Sequence, residues 1–117
     1  MSSFINLEYL HSLVGDDEET KQTMLSLMLE ELPEEIGHIR TAWKARDLKA
    51  IHNASHKLKT SLSFVGNEEM TQANLQILKI AKEGLDTSPL PDLIAVLERT
   101  LPKVLAEIKS LLNGLAG

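Results

Sequence analysis

Apolar residues recur at steps of three and four along almost the whole chain, and this spacing constrains the fold more than any other feature of the sequence. Such steps place side chains on one face of an α-helix, whereas a half-buried strand alternates at every second residue. Only 3% of the residues are aromatic, so the core must be built from Leu, Ile, Val, Met and Ala, which favours helices over sheets. The sequence therefore predicts an all-α protein.

Turn-forming residues divide this pattern into one short leading segment, over about residues 4–14, and four long segments. Four amphipathic helices joined by short loops bury their apolar faces most simply as an antiparallel four-helix bundle. We therefore predict such a bundle with a short additional N-terminal helix, and interpret residues 1–117 as a single domain. The turns are expected at residues 15–17, 45–47, 66–67 and 84–91.

The first of the long helices leaves one question open. Its apolar stripe runs straight through Pro33, and a proline inside a helix removes one hydrogen bond and clashes with the carbonyl four residues back. We expect a kinked long helix, although two helices broken near Pro33 are an alternative. Asp16 or Asp17 can cap the start of this helix, and Asp47 can cap the next.

Composition and charge argue against several classes of function. The 12 Lys and Arg residues are outnumbered by 17 Asp and Glu, a net charge of −5, so no basic excess serves a nucleic acid or an anionic membrane. There is no cysteine for a disulfide or a thiolate metal site. No signal peptide is visible, and no stretch approaches the roughly 20 apolar residues that span a bilayer. We expect a cytoplasmic protein.

The most informative segment is the predicted helix around His56. Ser55, Leu58 and Leu62 lie on its core stripe, and His56 lies one residue off that stripe, about 100° around the helix axis. The imidazole is therefore expected to face solvent, where a neutral ring nitrogen is a nucleophile near pH 7. Lys59, three residues on, can place an ammonium beside the negative oxygens of a phosphoryl group. Phosphoryl transfer needs such access and charge stabilisation more than it needs covalent chemistry from the protein.

The eleven residues from His56 to Gly66, His-Lys-Leu-Lys-Thr-Ser-Leu-Ser-Phe-Val-Gly, resemble the histidine-containing phosphotransfer (HPt) domain family. The family pattern places leucine two residues after the histidine, lysine three after, serine or alanine five after and glycine ten after. This chain has Leu58, Lys59, Ser61 and Gly66 there. The resemblance covers about residues 4–112.

This resemblance implies that His56 is the phosphoacceptor, that Lys59 stabilises the phosphoryl charge, and that Gly66 forms a structural turn. It implies a two-component phosphorelay, in which the partners are response-regulator receiver domains and a hybrid sensor histidine kinase. The receiver would carry the Mg²⁺, so no cofactor or metal is expected on this chain. No glycine-rich phosphate loop precedes a helix, so neither an ATP site nor autokinase activity is expected. We expect a monomer, whose candidate partner contacts are Asn53, Thr60, Ser63 and Phe64.

Thr60 departs from the family pattern, which usually has glycine four residues after the histidine. It lies one turn along the same helix face as His56, so its branched side chain takes up space needed by an incoming receiver. We expect Thr60 to narrow partner choice or to slow transfer, unless its hydroxyl contacts the phosphoryl oxygens instead.

Two alternative functions stay open. One is a receiver-binding module of the same fold without transfer activity. The other is a helical bundle with a structural or a metal-binding role. In the metal-binding case, His52 and His56 would coordinate a metal ion from one helix face.

Two further expectations concern polar residues near the histidine helix. On the next helix, one of Gln72, Asn74 and Gln76 could hydrogen-bond the imidazole and orient it, but the sequence does not show which. The acidic side chains of the helix containing Pro33 are expected to form a solvated face, consisting of Glu30, Glu31, Glu34 and Glu35.

Overall fold

The computed structural model describes residues 4–116, and these residues form five helices without a strand. Helix α2 packs against α3 and α5, α4 also packs against α3 and α5, and the short α1 contacts α2 and α3. The predicted four-helix bundle with an additional N-terminal helix is therefore confirmed. The helices are α1 Glu8–Val14, α2 Glu18–Lys44, α3 Leu48–Val65, α4 Glu68–Glu83 and α5 Leu90–Ala116.

The core is almost entirely aliphatic, as the composition predicts. The apolar faces of all five helices meet along the bundle axis, and burial of these side chains is the main contribution to folding. The largest fully buried side chains are Leu10, Leu25, Leu32, Ile39, Ile51, Leu58, Leu62, Met70, Ile77, Leu90, Ile94 and Leu97.

Helix α2 passes through Pro33 as one element, so the alternative of two separate helices is wrong. Leu32 and Ile36, on either side of the proline, are both buried against the rest of the bundle. This packing compensates for the hydrogen bond that Pro33 cannot donate, because helix stability in proteins comes mainly from burial of the apolar face.

The first helix is shorter than predicted, since it begins at Glu8 and not near residue 4. The backbone of the preceding residues is bonded to the bundle instead. The Phe4 N–H donates to Glu107 Oε1 over 2.8 Å, and the Asn6 N–H donates to the Val65 carbonyl over 2.7 Å. Asn67 Nδ2 also donates to the Phe4 carbonyl. Tertiary hydrogen bonds therefore replace the first helical turn that the apolar pattern indicates.

Polar side chains cap the N-termini of three of the long helices. The Asp17, Asp47 and Asn67 side chains each accept a hydrogen bond from a backbone N–H three residues later, the usual geometry of an N-cap. The hydrogen bonds from Thr20 lower the pKa of Asp17. Helix α3 is thus defined at both ends, by Asp47 before it and by Gly66 after it, where φ is +66°.

None of the helices within residues 4–116 combines the length and apolar character that crossing a membrane requires.

Candidate functional site

His56 lies in the middle of α3 with its side chain exposed, while Ser55 before it and Leu58 after it are fully buried. The alternation follows from the 100° rotation per residue of an α-helix, which carries His56 off the core face. The imidazole is therefore held on a rigid element but is open to a partner. Lys59, one turn further along, is also exposed. Within the part of the chain that the structure describes, Lys59 forms no salt bridge, so its ammonium is available to a bound anion.

His52 lies one turn before His56 on the same side of α3, and it is half-buried. The two imidazole rings are nearly parallel, at an interplanar angle of 17° and a centroid separation of 6.3 Å. No third ligand joins them: among residues 4–116, no group of three or more His, Cys, Asp or Glu side chains is arranged to hold a metal ion. Two histidines are fewer ligands than protein metal sites normally use.

Beneath His56, a buried polar pair ties α3 to α4. The Ser55 hydroxyl donates to Asn74 Oδ1 over 2.5 Å, and Asn74 Nδ2 donates to the Ser55 carbonyl over 3.0 Å. Both side chains are at most 1% exposed, so they satisfy each other and fix the rotation of α3 against α4. This rotation determines which way His56 points.

A hydrogen bond from α4 to the imidazole, which the sequence left open, is not found among the described residues. The Asn74 side chain is bonded to Ser55, and Gln72 Nε2 donates to Glu68 within its own helix over 2.8 Å. Gln76 is exposed and has no hydrogen bond to the ring. Sequence spacing places these residues on α4 but does not show which of them faces α3, so it could not decide this point.

Glu35 corrects the prediction of a uniformly solvated acidic face on α2, because its side chain is only 7% exposed. The Ser61 hydroxyl of α3 donates to Glu35 Oε2 over 3.1 Å, whereas Glu35 Oε1 is buried without a described partner. Burial raises the pKa of Glu35, and the hydrogen bond from Ser61 opposes that shift. The sequence held a signal for this burial, because Glu35 lies three residues after Leu32 and four before Ile39 on the core stripe.

An open groove of about 290 Å³ lies between α2 and α3, next to His56. It brings the phosphoacceptor candidate together with two of the predicted partner contacts, Thr60 and Phe64. Its lining residues are Glu31, Glu35, His56, Lys57, Thr60, Ser61 and Phe64.

The predicted contact residues differ in their surroundings. Thr60 is exposed, and Phe64 is half-buried with its ring 6.1 Å from that of Tyr9, which is 50% exposed. Asn53 and Ser63 are exposed on α3 but do not line the groove, and the Ser63 hydroxyl donates to the Thr60 carbonyl. The site therefore consists of an exposed histidine, an exposed lysine and an adjoining groove with one apolar aromatic wall.

Comparison with known proteins identifies this arrangement. A family model of the Hpt domain matches residues 23–113. One similar solved structure is the histidine-containing phosphotransfer protein B (HptB) from Pseudomonas aeruginosa PAO1, with a TM-score of 0.85, 20% sequence identity and 97% of each chain covered. Another is the HPT domain from the Hpt sensor hybrid histidine kinase from Shewanella, with a TM-score of 0.82, 23% identity and 97% of each chain covered. At these identities the two structures show a shared fold. No curated protein matches the chain significantly.

The family match covers well over half of the chain and includes the whole of α3 with His56. The resemblance inferred from residues 56–66 is thus confirmed, and the chain belongs to the Hpt domain family of histidine-containing phosphotransfer domains.

Proposed function

We propose that this chain is a phosphorelay intermediate that accepts a phosphoryl group on His56 from a receiver aspartate and passes it to another receiver. One observation supports this assignment above the others: His56 stands exposed at the centre of α3, at the histidine position of the family motif. The buried Ser55–Asn74 pair beneath it supports a fixed orientation of the helix, which a nucleophile needs for in-line attack.

The proposed transfer is a direct displacement at phosphorus. The lone pair of one imidazole nitrogen of His56 attacks the phosphorus of the receiver's aspartyl phosphate. The N–P bond forms as the P–O bond to the aspartate breaks, and the carboxylate leaves with that electron pair. Donation to the next receiver is the reverse displacement, with a second aspartate carboxylate as nucleophile.

Lys59 is proposed to stabilise the charge that His56 gains on phosphorylation. A phosphoryl group adds close to two negative charges near neutral pH, and an ammonium one helical turn away lies on the same face. Because both side chains are exposed, water weakens this attraction, so Lys59 should tune transfer and not be indispensable for it.

The partners would be receiver domains of response regulators and a hybrid sensor histidine kinase, as the family works in such two-component relays. We propose that the receiver supplies the Mg²⁺, that this chain has no cofactor and does not autophosphorylate from ATP, and that it acts as a cytoplasmic monomer. Contact with each receiver should be brief and of modest area, since a relay must release its partner.

The test of this proposal is incubation of the chain with a panel of phosphorylated receivers. The chain should gain a phosphate that is acid-labile and base-stable, which is the behaviour of phosphohistidine. A receiver-binding module without transfer activity would bind a receiver and gain no phosphate. The structural or metal-binding alternative would show neither receiver binding nor labelling, and a metal titration would identify a metal site.

Thr60 lines the groove beside His56, where family members usually have glycine, and this keeps the binding-only alternative under consideration. We expect Thr60→Gly to raise the rate of transfer from a receiver to His56 severalfold, because the branched side chain no longer obstructs the approach. Glycine in an exposed helix costs about 1 kcal/mol relative to alanine, so folding should remain intact.

Thr60→Ala is the matched control in the same transfer assay. It removes the hydroxyl and the methyl group without weakening the helix, because alanine has a higher helix propensity than threonine. A rate that rises in both variants attributes the effect to side-chain size. A rate that falls in both indicates that the hydroxyl assists the phosphoryl group, and identical rates in all three proteins would remove Thr60 from the account.

A further inference from the structure

The groove beside His56 is lined by a residue with one buried polar atom that no described residue satisfies. Glu35 Oε1 is buried and has no hydrogen-bond partner among the described residues, although the same carboxyl group receives the Ser61 hydroxyl on Oε2. Buried polar atoms are nearly always paired, and an unpaired one is costly. Since Glu35 lines the groove together with His56, this carboxyl group lies beside the surface at which a partner would dock.

The neighbouring side chains do not supply the missing donor. Ser61 has a single hydroxyl proton, and that proton is used on Oε2. Lys57 lines the same groove and its charge favours the ionised form of Glu35, but it forms no salt bridge within 4 Å with it in the described region. Lys57 as a whole is an exposed residue of α3.

The charge and polarity of the groove lining indicate which kind of side chain can bind there. An ionised carboxylate only accepts hydrogen bonds, so the occupant must be a donor, and a cation gains most because burial opposes the charge of Glu35. Glu31, half-buried on the same wall, adds a second negative charge. The half-buried Phe64 ring and the Thr60 methyl offer apolar surface along which a long aliphatic stem can lie.

We propose that this groove takes up a lysine or arginine side chain of the docking receiver, and that Glu35 is a specificity-determining residue that pairs with it. The inference rests on the proposed function and identifies the partner chemistry of the same site. Its consequence is selective: a receiver that presents an acidic or short apolar residue at this place leaves Glu35 Oε1 buried without a partner, and so binds less well.

The experiment measures transfer from a phosphorylated receiver to Glu35→Gln, with Glu34→Gln as matched control. Both variants remove one negative charge from α2, but Glu34 is exposed and does not line the groove. Glutamine has the size of glutamate and keeps an oxygen for Ser61. We expect the KM for the receiver to rise about tenfold in Glu35→Gln, with kcat changed less than about twofold, as loss of a charged hydrogen bond at docking predicts. Glu34→Gln should match the parent.

A parental KM in Glu35→Gln overturns the proposal, and so does a fall in kcat at unchanged KM, because that result would place Glu35 in the chemical step. A scan on the receiver side needs no change in this chain. Lysines and arginines near the receiver's phosphoaspartate are replaced one at a time by methionine, and one of them should raise the KM of the parent about tenfold and show no further loss with Glu35→Gln. If none does, the pairing is wrong.

Failure of this inference is distinguishable from failure of the proposed function. Phosphoramidate, a small phosphodonor that needs no docking surface, is offered to the parent protein alongside the receiver panel. Labelling of the parent with no effect of Glu35→Gln on KM overturns the groove assignment and leaves the relay function standing. A parent that is labelled by neither donor overturns both.

Discussion

Replacement of His56 by glutamine should abolish phosphate uptake from every receiver that labels the parent protein. An amide nitrogen has no available lone pair at neutral pH, so the N–P bond of the proposed intermediate cannot form. The substitution is otherwise mild, because position 56 is exposed in mid-helix and glutamine is a good helix former. The measurement is transfer of labelled phosphate from a receiver, with circular dichroism to confirm that the helix content is unchanged.

His52→Gln is the matched control for this prediction. His52 lies one turn before His56 with its ring nearly parallel to the His56 ring, so it is the nearest histidine that could be mistaken for the acceptor. We expect His52→Gln to be labelled and His56→Gln to remain unlabelled. If His56→Gln is still labelled, the phosphoryl group is carried by another residue and the assignment is contradicted. The same conclusion follows if only His52→Gln fails to be labelled.

Replacement of Gly66 by alanine should cause the largest loss of stability at any single position considered. Gly66 has φ +66°, a left-handed conformation that costs a residue with a side chain about 1–2 kcal/mol. An added Cβ would also collide with the Asn6 carbonyl oxygen and lie 3.0 Å from Asn6 Cβ. The collision falls beside the hydrogen bond from the Asn6 N–H to Val65. From the backbone strain and the collision together, we expect the free energy of unfolding to fall by about 2–4 kcal/mol, which is within the range of severe single substitutions.

Gly84→Ala separates the two contributions. Gly84 has nearly the same backbone conformation, with φ +67°, but an added Cβ would meet only Leu48 Cδ1 at an ordinary distance of 3.6 Å. We expect this control to lose about 1–2 kcal/mol. Urea unfolding followed by the fluorescence of Trp43, the single tryptophan, measures both variants. If Gly66→Ala and Gly84→Ala lose the same free energy of unfolding, a steric clash with Asn6 is contradicted. Gly66 would then be needed only for its left-handed backbone conformation.

Much of the site could be predicted from the sequence because it depends on a single helix. Asp47 and Gly66 indicated the ends of α3, and the apolar steps around Leu58 indicated which face is buried. These two facts are sufficient to place His56 in solvent, since the rotation per residue of an α-helix is constant. The antiparallel bundle followed similarly, because short loops between amphipathic helices leave few other ways to cover their apolar faces.

Contacts between two helices could be seen only in the tertiary structure. Sequence spacing placed Asn74 and Glu35 on their helices but did not show that one bonds Ser55 and the other Ser61. The groove beside His56 has the same origin, as does the bonding of residues 4–6 to α3, α5 and Asn67 in place of a first helical turn. The physical reason is that helical periodicity is a local property, whereas the rotation and spacing of packed helices depend on how all their side chains fit together.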